Sequence, residues 1–151
     1  MKLNLENFNI RRSEALIAGS YSLPNNIERY TVKAKGLIGL DVYKDDTIKI
    51  INTEGGQICE VIVFDNEGKN NQLIIGEKIN GDAKFTKYIL SNSSDKKILL
   101  EKLKKKKIDF NKTKSTNFFD HTSPAKETSE LVMQEDGFII FAAPGEDMQV
   151  D

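Results

Sequence analysis

From Glu28 to Phe64 the chain falls into short apolar or alternating runs separated by turn residues, the pattern of strands rather than the 3.6-residue period of a helix. Glu28 to Ala34 alternates, and Gly36 separates it from the apolar run Leu37 to Tyr43. Ile48, Ile50 and Ile51 give a third run, and Ile58 with Val61 to Phe64 a fourth. Between these two stands Glu54-Gly55-Gly56-Gln57, where glycine supplies positive φ without a side-chain clash, so the stretch reads as strand, tight turn, strand. Lys44-Asp45-Asp46 and Asp65-Asn66-Glu67-Gly68 are the flanking turns. The pattern predicts consecutive antiparallel strands.

Outside this block the periods change. Met1 to Ser13 is a polar lead without convincing period, and Ala15 to Gly19 is a short strand or a tether. Leu73-Ile74-Ile75-Gly76 is a strand candidate. Asp82 to Leu90 fits either period, with Ala83, Tyr88 and Ile89 on a helical face, and is read as helix. Asp95 to Lys107 is a clearer helix: Ser94 or Asp95 can accept its first N–H groups, Leu99 and Leu103 lie one turn apart, and lysines occupy the last turn, where the helix dipole favours cations. Strand signals return at Thr116 to Phe119 and Thr128 to Gln134. Glu135-Asp136-Gly137 is read as a three-residue hairpin connection with Gly137 at positive φ. Phe138 to Ala143 is apolar on both faces, which belongs in the middle of a covered sheet.

Composition narrows the function classes. With 22 basic and 23 acidic side chains and a formal charge of −1, the chain has no global attraction for nucleic acid or an anionic membrane. Its basic feature is local, at Lys102 and Lys104 to Lys107, and lacks the interleaved aromatics of a single-strand binder. One cysteine makes no internal disulfide, and no signal-peptide pattern opens the chain, so a cytoplasmic protein is expected. No apolar run reaches the ~20 residues that span a bilayer.

Each polar candidate carries two readings. Glu54 and Gln57 either aim a carboxylate and an amide at a small ligand or hold their turn together by hydrogen bonds. Asp65 ends a strand, where Asp commonly accepts backbone N–H groups of the following turn. His121, the single histidine, forms no recognised metal-ligand or acid–base spacing with Asp120 or Cys59, so a surface histidine is the alternative to a ligand role. Cys59, inside an apolar strand, reads as a small buried hydrophobe. Gly55-Gly56 lacks the lysine and hydroxyl residue of a phosphate loop.

The ordered series Gly19, Lys44 to Ile51, Glu54 to Gln57, Val61 to Asp65, Phe118-Phe119 and Glu135 to Pro144 resembles the urea-carboxylase-associated family, a domain of unknown function with paired members linked to carboxyguanidine deimination. Members that look enzymatic carry His-Asp and cysteine-containing pieces before the last two strands and a Ser-Ala-Cys-Pro run after them. Here the central segment is the lysine-tailed helix, and the final run is Phe141-Ala142-Ala143-Pro144. Ala143 stands at the cysteine position, and a methyl group can neither ligate a metal nor act as a nucleophile. The shortened form looks like the module fused ahead of glycine-cleavage T-protein-like aminomethyltransferases, which implies a C-terminal partner domain beyond Asp151.

The expected fold is mainly β (α+β), an antiparallel distorted barrel or two packed sheets with one or two inserted helices: residues 1–26 form a partly irregular lead and 27–151 one β-rich domain with a helix near 95–107. The expected function is a non-catalytic auxiliary or regulatory module of one-carbon or nitrogen metabolism, docking to the partner domain or binding a small amine or carboxylate through Glu54, Gln57, Asp65 and His121. No catalytic residue, metal site or cofactor is assigned. The rival is a small hydrolase or deiminase acting on a guanidine- or urea-like compound, with Glu54 as acid or base and His121 as its partner.

Overall fold

The computed structural model describes residues 2–6, 21–22, 27–92, 101, 103–105, 108 and 112–144. Among these, nine strands form two antiparallel sheets: β1 (Lys2–Glu6), β2 (Tyr21–Ser22), β3 (Ile27–Thr31), β4 (Gly36–Val42), β5 (Thr47–Asn52), β6 (Cys59–Phe64), β7 (Thr116–Phe118), β8 (Glu127–Val132) and β9 (Gly137–Ala143). One sheet has the order β2-β3-β1-β5-β8 and the other β4-β9-β6-β7, so the packed-sheet form of the expected mainly β fold is the one adopted. The helix α1 (Lys84–Asn92) lies between β6 and β7.

From β4 onward the chain is one long two-stranded ribbon folded over the core, as in a jelly roll. β4 pairs with β9, β5 with β8 and β6 with β7. Register survives the first fold of the ribbon: Val42 faces Gly137 and Thr47 faces Val132, so the connections 43–46 and 133–136 are equal in length. They are also tied together, with Lys44 N–H on Asp136 Oδ1 at 2.7 Å, Asp45 N–H on the Met133 carbonyl at 2.9 Å and Met133 N–H on the Asp46 carbonyl at 2.9 Å. At the opposite end Gly56 N–H donates to the Ser123 carbonyl at 2.8 Å and Lys126 N–H to the Asn52 carbonyl at 2.6 Å.

The consecutive pairing expected from Glu28 to Phe64 and the hairpin expected at Glu135-Asp136-Gly137 are therefore absent, because each successive strand from β3 to β6 changes sheet. Glu54-Gly55-Gly56-Gln57 and Glu135-Asp136-Gly137 each carry the chain from one sheet to the other, and the partner of each strand lies far away in sequence. Gly55 and Gly56 do take positive φ, +80° and +67°. Gly137 does not; it is needed because an added Cβ would sit 2.6 Å from the Phe64 carbonyl oxygen.

The sheets differ in how they are covered. Buried and half-buried positions alternate strictly along β5, whereas every residue of β6 and β9 is buried. Ile139, Phe141 and Ala143 of β9 point with Cys59, Val61 and Val63 into the core between the sheets, against Ile48, Ile50 and Leu131. Phe138, Ile140 and Ala142 point the other way with Ile62 and Phe64, against Ala83, Ile89 and Leu103. Phe64 and Phe138 stack with ring centroids 6.5 Å apart, and each fully buried side chain of this kind contributes about 1.5–3 kcal/mol. As expected, β9 lies inside its sheet, between β4 and β6.

Leu73 to Gly76 is not the strand its composition suggests. Gln72–Ile75 is a 3-10 helix: Asn71 accepts from Leu73 N–H, and Gly76 closes the turn at φ 74°. Gln72, buried, stands in for the strand partner that β6 lacks beyond Val61, accepting from Val63 N–H at 2.8 Å and donating to the Val61 carbonyl at 3.0 Å. The helical reading of Asp82 to Leu90 agrees with α1. Of the helix expected at 95–107, Glu101 and residues 103–105 are helical, and Ser94, Asp95, Leu99 and Leu100 lie outside the described residues. The polar lead contributes β1, paired with both β3 and β5. Ala15 to Gly19 lies outside the described residues.

Gly137→Ala is expected to destabilise the fold by about 1–3 kcal/mol, since the clashing atom is backbone and cannot move aside. Urea denaturation measures this. A loss below about 0.5 kcal/mol, the range of an ordinary surface substitution, would contradict the packing of β9 on β6.

Candidate functional site

Two of the sequence-derived site segments are brought together and one is kept apart. The crossing that carries Glu54 and Gln57 packs on the 119–126 connection that carries His121: a Cβ on Gly55 would meet Ala125 N at 2.7 Å and Ser123 O at 2.9 Å. Glu54 and His121 are exposed, and no hydrogen bond or ion pair joins them among the described residues. The turn is held instead by Asn52, 1% exposed, which donates to the Gln57 carbonyl at 2.9 Å and accepts from Gly55 N–H at 3.1 Å. Asp65 lies elsewhere, and its Oδ1 accepts the N–H groups of Glu67 and Lys69, both at 2.9 Å. Beside His121, Asp120 accepts from the Thr122 hydroxyl and N–H, which hold its carboxyl below the usual range.

Cys59 is fully buried, and desolvation pushes its thiol far above the ordinary range. Ala143, where the family resemblance places a cysteine in relatives, is sealed in the inter-sheet core. Lys104 and Lys105 are exposed, and Lys102, Lys106 and Lys107 lie outside the described residues. No group of three or more potential metal-ligating side chains occurs among the described residues. No helix there is long and apolar enough to cross a membrane.

The most unusual chemistry lies on β6. Glu60 is 1% exposed, the one charged side chain in a strand whose other residues form the two cores. It points to the helix-covered face and receives the start of α1: Oε1 accepts from Thr86 N–H at 2.8 Å and Thr86 Oγ1–H at 2.6 Å, and Oε2 accepts from Phe85 N–H at 3.0 Å. Ala83, the residue before α1, has φ 57° and no side-chain acceptor, so the free N–H groups of the first turn are satisfied from another strand. A carboxylate suits that position because the helix dipole is positive there and charge-assisted bonds replace lost hydration. The signal in the sequence was a lone acidic residue at the start of the apolar run Cys59 to Phe64.

Glu60 opens onto a cleft of about 580 Å³ lined also by Gly81, Phe85, Lys84, Lys87 and Asn117. Asn117 faces Glu60 across the β6–β7 ladder, so both side chains rise from the same side of the sheet. Its backbone is locked to Asn80, donating to Asn80 Oδ1 at 2.7 Å and accepting from Asn80 Nδ2 at 3.3 Å. Its Oδ1 is buried and has no partner. A Cβ on Gly81 would lie 3.0 Å from Asn117 Nδ2, so glycine there leaves room for the amide. At the rim Asp82 pairs with Lys114 at 2.6 Å, and that bond holds its carboxyl below the ordinary range. The arrangement places a buried carboxylate, an unsatisfied amide oxygen, two ammonium groups and the Lys114-bonded carboxylate of Asp82 around one opening.

No family model matches the chain, and no solved structure matches it. Over 126 residues, 83% of its length, the chain is 32% identical to the trimethylamine-oxide aldolase of Ruegeria pomeroyi. The matched part is 16% of that protein, so the chain spans a small fraction of a much longer relative.

Glu60→Gln keeps the shape but turns one acceptor into a donor facing Phe85 or Thr86 N–H, and is expected to cost about 1–3 kcal/mol in urea denaturation. Thr86→Val, which removes only the hydroxyl bond, should cost less, about 1 kcal/mol. Equal stability of wild type and Glu60→Gln would contradict the capping geometry. For Asp82, whose folded pKa is depressed, the favourable contribution is present above the ordinary carboxylate value and is lost as pH falls through the lowered one. Lys114→Met is expected to return its titration towards 3.8, read by NMR.

Proposed function

We propose that this chain is a non-catalytic auxiliary module of an amine- or one-carbon-metabolising system, acting by docking to a larger catalytic partner or by holding a small amine or carboxylate. The observation that carries this reading is the likeness to 16% of a protein named trimethylamine-oxide aldolase. A similarity of that extent supports a module that works alongside a larger catalytic unit, and the resemblance to urea-carboxylase-associated domains fused to aminomethyltransferase-like partners points the same way. The fold is consistent with a binding role. Its rigid sheet pair presents polar groups at two places, the Glu54–His121 end and the Glu60–Asn117 cleft, on elements fixed by backbone hydrogen bonds. The partner proposed is an aminomethyltransferase-like domain, in a cytoplasmic setting.

Incubation of the purified chain with trimethylamine N-oxide, followed by the N-methyl proton signal, is expected to show no consumption. Consumption that disappears in Glu54→Gln would replace the auxiliary reading with an enzymatic one.

A further inference from the structure

The cleft beside Glu60 has a chemistry that the fold itself does not exhaust. Glu60 is required to receive the first turn of α1, yet its Oε2 carries only one hydrogen bond where a carboxylate oxygen can accept two or more. Asn117 Oδ1 has no donor at all, although burying an unpaired amide oxygen costs about 1–3 kcal/mol. Both oxygens rise from the same face of the β6–β7 ladder, at residues directly opposite one another, and both residues line the cleft. Two acceptors side by side call for a group with several N–H donors, and an ammonium has three.

The other wall carries the opposite requirement. Lys84 and Lys87 line the opening from α1 together with Asp82, whose carboxylate is bonded by Lys114 and also feels the charge of Lys87, so this wall is net positive. A ligand carrying only a positive charge would meet these two ammonium groups unfavourably, and one carrying only a negative charge would meet Glu60. A molecule with an ammonium at one end and a carboxylate a few atoms away satisfies both walls.

We propose that the cleft between β7, the bridge at Gly81 and the first turn of α1 binds a small zwitterionic amino acid, its ammonium on Asn117 Oδ1 and Glu60 Oε2 and its carboxylate between Lys84 and Lys87. This rests on the ligand-holding form of the auxiliary role and assigns it a place distinct from the Glu54–His121 end. Glycine, the smallest such molecule, is the probe, with methylammonium and acetate presenting each half separately. In ¹⁵N-correlated NMR titrations of the whole chain, glycine is expected to give saturable shifts at the amides of Gly81, Phe85 and Asn117 at millimolar concentration, and each half alone weaker ones. Lys84→Ala combined with Lys87→Ala, two changes on the rim of the cleft outside both cores, is expected to weaken glycine binding about tenfold while leaving the melting temperature in place. Absence of saturable shifts, equal response to acetate alone, or glycine binding unchanged in the double variant would overturn the site. Saturable shifts confined to the Glu54, Gln57 and His121 region would overturn it as well, while leaving the auxiliary reading intact. Consumption of trimethylamine N-oxide is a separate readout that bears on that reading alone.

Discussion

A strand that is apolar on both faces must be covered on both faces, and β9 imposes that condition on the whole molecule. Its seven residues are all buried, three side chains turned to one core and three to the other. The first sheet meets the condition on one side, and α1 with the segment around Leu103 meets it on the other. The pairing follows from the same constraint. β4 and β6 flank β9 because they too are apolar enough to sit between two layers, while β5 and β8 join the sheet whose outer face meets solvent.

The helical cover brings a polar cost of its own. A helix that begins on the surface of an apolar sheet presents free N–H groups to a region from which water is excluded. Glu60 resolves this from within the sheet, with a buried carboxylate that takes Phe85 and Thr86 at once. The same placement leaves a polar opening between β7 and α1, because Gly81 has no side chain to fill it and Asn117 stands opposite Glu60. The structural cap and the proposed ligand pocket are thus two faces of one buried charge.

Much of the fold was legible in the chain. The short strand-like runs between Glu28 and Phe64, the two-sided apolar run at Phe138 and the positive φ of Gly55 and Gly56 all carry their meaning locally. The pairing of strands did not, since a glycine turn looks alike whether it closes a hairpin or crosses between sheets. A finer reading was available: Thr47 to Asn52 alternates and Cys59 to Phe64 does not, and strands with one and two apolar faces belong to differently covered sheets. Leu73 to Ile75 misled because three branched side chains outweighed the Asn71 and Gly76 that bracket a tight helical turn. The Glu60 cleft was hidden for another reason: its partners Phe85 and Asn117 are 25 and 57 residues away in sequence, and only the packing of α1 on the sheet and the sheet register bring them together.

If Glu60 binds the helical layer to the sheet, the two should open as one unit. Native-state hydrogen exchange tests this directly by comparing the Phe85 and Thr86 amides with those of Ile62 and Ile140 at rising denaturant. All four are expected to exchange only through global unfolding, with one common free energy and denaturant dependence. Exchange at Phe85 and Thr86 through a low-energy opening insensitive to denaturant, with the sheet still protected, would contradict the linkage between the buried carboxylate, the helix and the cleft.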